Sequence, residues 1–99
     1  MRGNTYREEA RRLRTRQVKL EIANTYDIYI AVAEFVSQCK RRGVRVTYDR
    51  FLQHMCWEDR VLSGGPNGPV IYWNDPRIDR VYIRKVLVEL YEIHNCRYQ

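Results

Sequence analysis

The stretch from Asn24 to Arg42, NTYDIYIAVAEFVSQCKRR, is the longest apolar-rich segment of the chain and sets the terms for everything else. Ile22, Tyr26, Tyr29, Ala33 and Val36 follow one another at spacings of 4, 3, 4 and 3, the stripe of a helix that buries one face. Ile28, Val32, Phe35 and Cys39 make a second stripe beside it. Two apolar stripes require cover on more than one side, so this segment is read as the central core helix. With 99 residues the chain has room for one such core, and residues 1–99 are read as a single domain. A composition 44% hydrophobic and poor in Pro and Gly excludes disorder.

Before the central segment, Thr5 and Glu8 form a capping box, T-x-x-E, that predicts a helix start. Tyr6, Ala10, Leu13, Gln17 and Leu20 then recur at 4, 3, 4 and 3 as a seam. Arg7, Arg11 and Arg14 fall on one flank of that seam, and Arg12, Arg16 and Lys19 on the other, because each residue advances about 100°. The seam projects to Asn24 rather than to Ile22 and Tyr26. The apolar face therefore rotates near residues 21–24. Either Asn24 or Thr25 caps a new helix, or one long helix meets different neighbours along its length. The absence of Gly and Pro from residues 5–42 favours the long helix.

Lys40, Arg41 and Arg42 suit a helix C-terminus, and Gly43 suits the C′ position after it. Val44-Arg45-Val46 reads as a short strand. Thr47 caps a short helix to about Cys56, with Val46 and Phe51 as a hydrophobic staple and Phe51, Leu52 and Met55 as the buried face. Trp57 is expected to pack there. Glu58 to Leu62 reads as a further helical turn, residues 63–69 as an irregular loop, and Val70 to Trp73 as a strand that pairs with 44–46. Asp75-Pro76 signals the start of a C-terminal helix to about His94. Ile78, Tyr82, Val86, Leu90 and Ile93 share its face, widened by Val81 and Val88, and pack on the central helix. The competing reading is a hairpin over 70–83 that turns at 74–77; the helix is preferred. The expected fold is mainly α: a long N-terminal helix, a short middle helix, a C-terminal helix and at most a two-stranded β element.

Charge supplies the main functional signal. The net charge is +6, and residues 1–20 carry seven basic side chains against Glu8 and Glu9, a balance of +5. The other 79 residues hold eleven basic and ten acidic groups. Fifteen of the eighteen cations are Arg, whose planar fork of donors suits phosphate. A nonspecific interface with a DNA or RNA backbone is therefore expected on Arg7, Arg11, Arg12, Arg14, Arg16 and Lys19, on a helix over 5–23 that projects from a core of 24–99. Lys40, Arg41, Arg42 and Arg45 form a secondary patch. The alternative is an interaction module in which the seam Tyr6, Ala10, Leu13, Leu20 pairs with a second copy, giving a homodimer, or with an acidic partner.

Other chemistry finds little support. Helix, Gly turn, short strand and capped helix over 26–56 follow the order of a winged helix-turn-helix. The next segment, WEDRVLSGGPNG, is short and acidic, so ordinary helix packing outranks a DNA-reading motif. His54-Met-Cys56 and His94-Asn-Cys96 repeat H-x-C. On a helix such positions diverge by about 200°, so no metal site is expected. SGGPNG lacks P-loop spacing. Ser63 has no adjacent His, and the carboxylates are scattered among Arg partners, so neither an enzyme, a cofactor nor a small-molecule substrate is expected. Tyr72, Trp73 and Tyr98, close to Arg residues, are candidates to stack on bases, although core packing is the commoner use of Tyr and Trp. Cys39, Cys56 and Cys96, odd in number and widely spaced, read as reduced and mostly buried, with one disulfide between some two of them left open. The opening MRGNTYREEARR lacks an apolar signal core and no apolar run is long enough to cross a bilayer, so an intracellular location without membrane contact is expected.

In its length, its richness in Tyr and Arg and the texture of NTYREEARRLRTRQ and NDPRIDRVYIRKVLVELYEI, the chain resembles the small orphan proteins of filamentous and rod-shaped viruses of acidothermophilic archaea, of lipothrixvirus and rudivirus type. That resemblance implies a thermostable viral protein of the host cytoplasm, with an unusual fold. It assigns no functional residue. A 30% charged content accords with a thermophile.

Overall fold

The computed structural model describes residues 2–63 and 70–98, and the side chains of 6–63 and 70–96. The described residues form α1 (Arg2–Asn24), α2 (Tyr26–Arg42), α3 (Tyr48–Met55), β1 (Val61–Ser63), β2 (Ile71–Tyr72) and α4 (Arg80–Tyr98). The expected class holds: mainly α, with one small antiparallel ribbon. α4 packs along α2, and α1 and α3 pack on that pair.

The expected single long helix is divided at Thr25. Its backbone is extended, at φ −102° and ψ 112°. Its amide closes α1 on the carbonyl of Glu21 at 3.2 Å, and its carbonyl opens α2 by accepting from the Tyr29 amide at 2.9 Å. One residue outside the helical region reorients everything that follows it, which explains the rotation of the apolar face. The Thr25 hydroxyl makes no capping bond and donates to Glu21 Oε1 at 3.3 Å. α1 begins at Arg2, so the Thr5 backbone is already helical and does not cap; its side chain lies outside the described residues.

The α1 seam also differs from expectation. Tyr6, Leu13 and Leu20 face solvent, and the buried side chains are Thr15, Val18 and Ile22. Val18, between two polar neighbours in sequence, and Ile22, expected on the stripe of the central segment, both meet the apolar surface of α2 and α4, and burial follows that surface. In α2 the second stripe is well buried at Val32, Phe35 and Cys39, as are Ala33 and Val36 of the first. Tyr26, at the first turn, is exposed.

Gly43 ends α2 at φ 67°, in the left-handed region that glycine adopts without steric cost, and Val44 N–H reaches the carbonyl of Cys39 at 2.9 Å. Residues 44–46 form no strand. Thr47 Oγ1 accepts from the Arg50 amide at 3.1 Å, the expected cap, and Val46 and Phe51 are both buried in the core. Cys56 ends α3 with φ 59°, a conformation that L residues rarely adopt. The chain then turns instead of adding helix, and β1 pairs antiparallel with β2, Val61 opposite Tyr72 and Ser63 opposite Ile71. The partner expected for the second strand, 44–46, is replaced by this nearer one. Loop residues 64–69 lie outside the described residues.

Beneath the ribbon an aromatic stack fills the core. Phe35 meets Phe51 edge-on at 5.5 Å, Phe51 meets Trp57 at 5.9 Å, and Trp57 meets Trp73 at 4.5 Å. Trp73 is therefore buried and unavailable for stacking on a base.

α4 starts at Arg80, five residues after Asp75. Asp75 Oδ1 accepts from Arg77 N–H at 2.8 Å and holds a turn, while Asp79 Oδ1 accepts from Tyr82 N–H at 3.1 Å and serves as the cap. Neither the earlier start nor the hairpin reading describes 74–79. Ile78, Ile83, Val86 and Leu87 are buried; Tyr82, Val81 and Ile93 are largely exposed. The Tyr48 hydroxyl donates to the Trp73 carbonyl, and Arg80 donates to the carbonyls of Asp75, Ile78 and Asn74. These bonds pin α3 and the start of α4 to the turn between them.

Candidate nucleic-acid interface

Docking of α1 through Thr15, Val18 and Ile22 decides which of its cations remain available. Residues 6–9 are exposed all round, so the opening turns stand clear of the core while the later turns are seated on it. The expected projection is thus limited to the N-terminal part of α1.

The two Arg flanks have separate fates. Arg14 Nε donates to Asp75 Oδ2 at 3.1 Å, with only 15% of each side chain exposed. Arg11 pairs with Asp79 Oδ2 at 3.3 Å, and Thr15 Oγ1 accepts from the Asp79 amide at 2.9 Å. The Tyr82 amide and then Arg11 hold the Asp79 carboxyl below the usual carboxylate range. Arg11 and Arg14 therefore fasten α1 to the start of α4. Both guanidinium groups of this flank, expected to be available to phosphate, already meet carboxylates of the same chain, Arg14 nearly enclosed and Arg11 still more than half exposed.

On the other flank Arg12 and Arg16 are exposed, and among the described residues no carboxylate lies within 4.0 Å of either. Lys19 donates to the Tyr82 hydroxyl at 3.1 Å and lies 5.6 Å from its ring centre. That hydroxyl raises the affinity of the ammonium for its proton. Arg12, Arg16, Lys19 and Tyr82 border an open groove of about 610 Å³ between α1 and the first turn of α4, with Glu8 and Asp79 also on its walls. Arg7, on the paired flank by angle, precedes the docked region and is exposed, and among the described residues no carboxylate lies within 4.0 Å of it.

Lys40, Arg41, Arg42 and Arg45 are all exposed. Lys40 Nζ lies 5.2 Å from the Tyr91 ring centre, and the three last-turn cations oppose the negative end of the α2 dipole. The Arg45 carbonyl accepts from Arg50 Nη1 at 2.6 Å, leaving the Arg45 side chain in solvent. Among the aromatic side chains that sequence reasoning did not place beside the cations is Tyr82. Its helical stripe suggested core, and only the angle at which α4 meets α1 turns it outward.

Other chemistry is sparse. Among the described residues no three potential metal ligands cluster, and no helix is long and apolar enough to cross a membrane. The three thiols are free; Cys39 is buried, and burial pushes its thiol pKa up, whereas Cys56 and Cys96 are exposed. The expectation of mostly buried thiols is thus corrected for two of three. α3 buries Tyr48, Phe51 and Leu52, and among the described residues no second helix follows it before α4. No protein-family model, curated protein or solved structure matches the chain.

Proposed function

We propose that the protein binds the phosphate backbone of DNA or RNA without sequence preference, through Arg7, Arg12, Arg16 and Lys19, with Lys40, Arg41, Arg42 and Arg45 as a secondary patch. The observation that carries this reading is the division between the two α1 flanks. Arg11 and Arg14 are paired with Asp79 and Asp75, while Arg12 and Arg16 face solvent with no carboxylate beside them among the described residues. Arg12, Arg16 and Lys19 follow one another at about 6 Å and 4.5 Å along the helix axis, a spacing at which successive side chains can each reach a phosphate. Each contact releases a counterion, so affinity falls steeply with salt.

Fluorescence anisotropy with a labelled duplex and a labelled single strand, across a salt series from about 50 mM, tests this. Changing Arg12 and Arg16 together to Ala is expected to lower the duplex salt slope by about 1.8, at 0.9 per lost contact. Arg11→Ala is the control and is expected to leave the slope unchanged. Absence of binding at the lowest salt, or equal losses from Arg11→Ala and from the Arg12/Arg16 pair, would refute the assignment.

A further inference from the structure

The outward face of α1 carries an apolar row that no element of the described residues covers, although Leu20 at its end also borders the groove toward α4. Tyr6, Leu13 and Leu20 are 76%, 56% and 46% exposed and stand seven residues apart. Ala10, Gln17 and Asn24 interleave with them at the same interval. The side chains that dock α1, Thr15, Val18 and Ile22, lie on the opposite side. The helix thus has two seams, one used within the chain and one free. The free one has the seven-residue period of a coiled coil, with Tyr6, Leu13 and Leu20 at d and Ala10, Gln17 and Asn24 at a.

We propose that a second copy of this chain occupies that seam, α1 against α1, parallel and in register about a two-fold axis. Charge complementarity selects this occupant and this orientation. In a parallel pair each g position faces the e position five residues later on the other helix. Glu9 and Arg16 at g meet Arg14 and Glu21 at e, and the g position of Arg2, at the outer end of the helix, meets that of Arg7 at e. The first two contacts join opposite charges and outnumber the one like-charged contact. Arg16 and Glu21 are exposed and carry most of the effect, since Arg14 already serves Asp75. Glu21 gives one oxygen to the Thr25 hydroxyl and keeps the other. An antiparallel pair would set Arg16 against Arg16 and Arg14 against Arg14 in one register, offset by Arg7 with Glu21, or Arg7 against Arg14 in another, offset by Glu9 with Arg16, so neither has the surplus of opposite charges that the parallel pair has. The polar Gln17 and Asn24 at a positions are the kind of residue that fixes register at some loss of affinity.

The seam rests on other observations than the nucleic-acid reading, but Arg7 and Arg16 flank it and belong to both; Arg12 and Lys19 lie outside it. A dimer would present Arg12 and Lys19 of both copies to one ligand.

Sedimentation equilibrium on the full chain, without nucleic acid and across a concentration series, tests the proposal. The expected mass rises from 12.0 kDa to twice that value. Leu13→Glu is expected to raise the dissociation constant about a hundred-fold or more, since it removes apolar burial from both copies and sets two carboxylates in the seam. Its circular dichroism should be unchanged, because Leu13 does not contribute to the monomer core. Arg16→Glu should weaken association, and adding Glu21→Arg should restore it. Restoration by Glu9→Arg instead would overturn the parallel register. A monomer throughout the series overturns the dimer itself, whether or not the same row then captures anionic phosphatidylglycerol vesicles.

Discussion

Replacing Ile22 by Ala tests the seating of α1 most directly. Ile22 is fully buried in the cluster that contains Val18, Val32 and Phe35. The substitution removes three carbons, about 2.4 kcal/mol by transfer at about 0.8 kcal/mol each, and leaves a cavity between helices that can close only in part. A cost of about 3–4 kcal/mol follows, against a total stability of about 5–15 kcal/mol for a domain of this size. At about 4–8 °C per kcal/mol, the melting temperature should fall by about 12–30 °C. Leu13→Ala is the matched control. Its side chain is more than half in water in the monomer, and Ala is the better helix former, so a change within about 0.5 kcal/mol is expected. Urea unfolding followed by far-ultraviolet circular dichroism, at a dilution where the chain is monomeric, reads both. The midpoint should move for Ile22→Ala with little change in slope. If Leu13→Ala costs as much as Ile22→Ala, or if Ile22→Ala costs less than about 1 kcal/mol, α1 is not seated on Val18 and Ile22 and the division of its Arg flanks loses its basis.

Three further outcomes are expected. Asp79→Ala removes the α4 cap and should cost about 1 kcal/mol, with little added by the exposed pair to Arg11. Because the folded Asp79 carboxyl titrates below its unfolded value, its contribution is complete above the usual carboxylate pKa of about 3.9 and fades as pH falls through the folded value. The Asp79→Ala variant should therefore show a smaller loss of stability on acidification, read by urea midpoints at successive pH values. Tyr48 is fully buried and its hydroxyl donates to the Trp73 carbonyl, so burial holds the phenol protonated well above its ordinary range. Its contribution is complete below about pH 10 and is lost as alkali rises toward the folded value, so one tyrosinate signal should appear only with unfolding. Tyr48→Phe should abolish that late signal and cost about 1–3 kcal/mol by stranding the carbonyl. Cys56 and Cys96 should react promptly with a thiol reagent such as dithionitrobenzoate, and Cys39 only on unfolding.

Local rules accounted for much of this fold. Gly43 ends α2 and Thr47 caps α3, because each depends on interactions within a few residues, and the periodicity of the second α2 stripe marks the face that the other helices then cover. The errors fall where two continuations were locally equivalent. Thr25 could sit in a helix or break one, and packing of α1 against α2 and α4 decided it. Asp75 and Asp79 are both sound caps; Asp75 is held in a turn by its bonds to Arg77 and Arg14, so Asp79 opens the helix. Ribbon pairing went to residues 61–63, which the turn after α3 brings alongside 71–72.

The sequence by itself determined a mainly helical chain with its positive charge crowded into the opening turns, since helical periodicity and ionisation are properties of residues and near neighbours. Which of those charges are spent and which are free was decided by tertiary structure alone. Asp75 and Asp79 lie more than sixty residues from Arg14 and Arg11. Only the burial of Val18 and Ile22 under α2 and α4 turns one flank of α1 toward those carboxylates, and the row from Tyr6 to Leu20 outward.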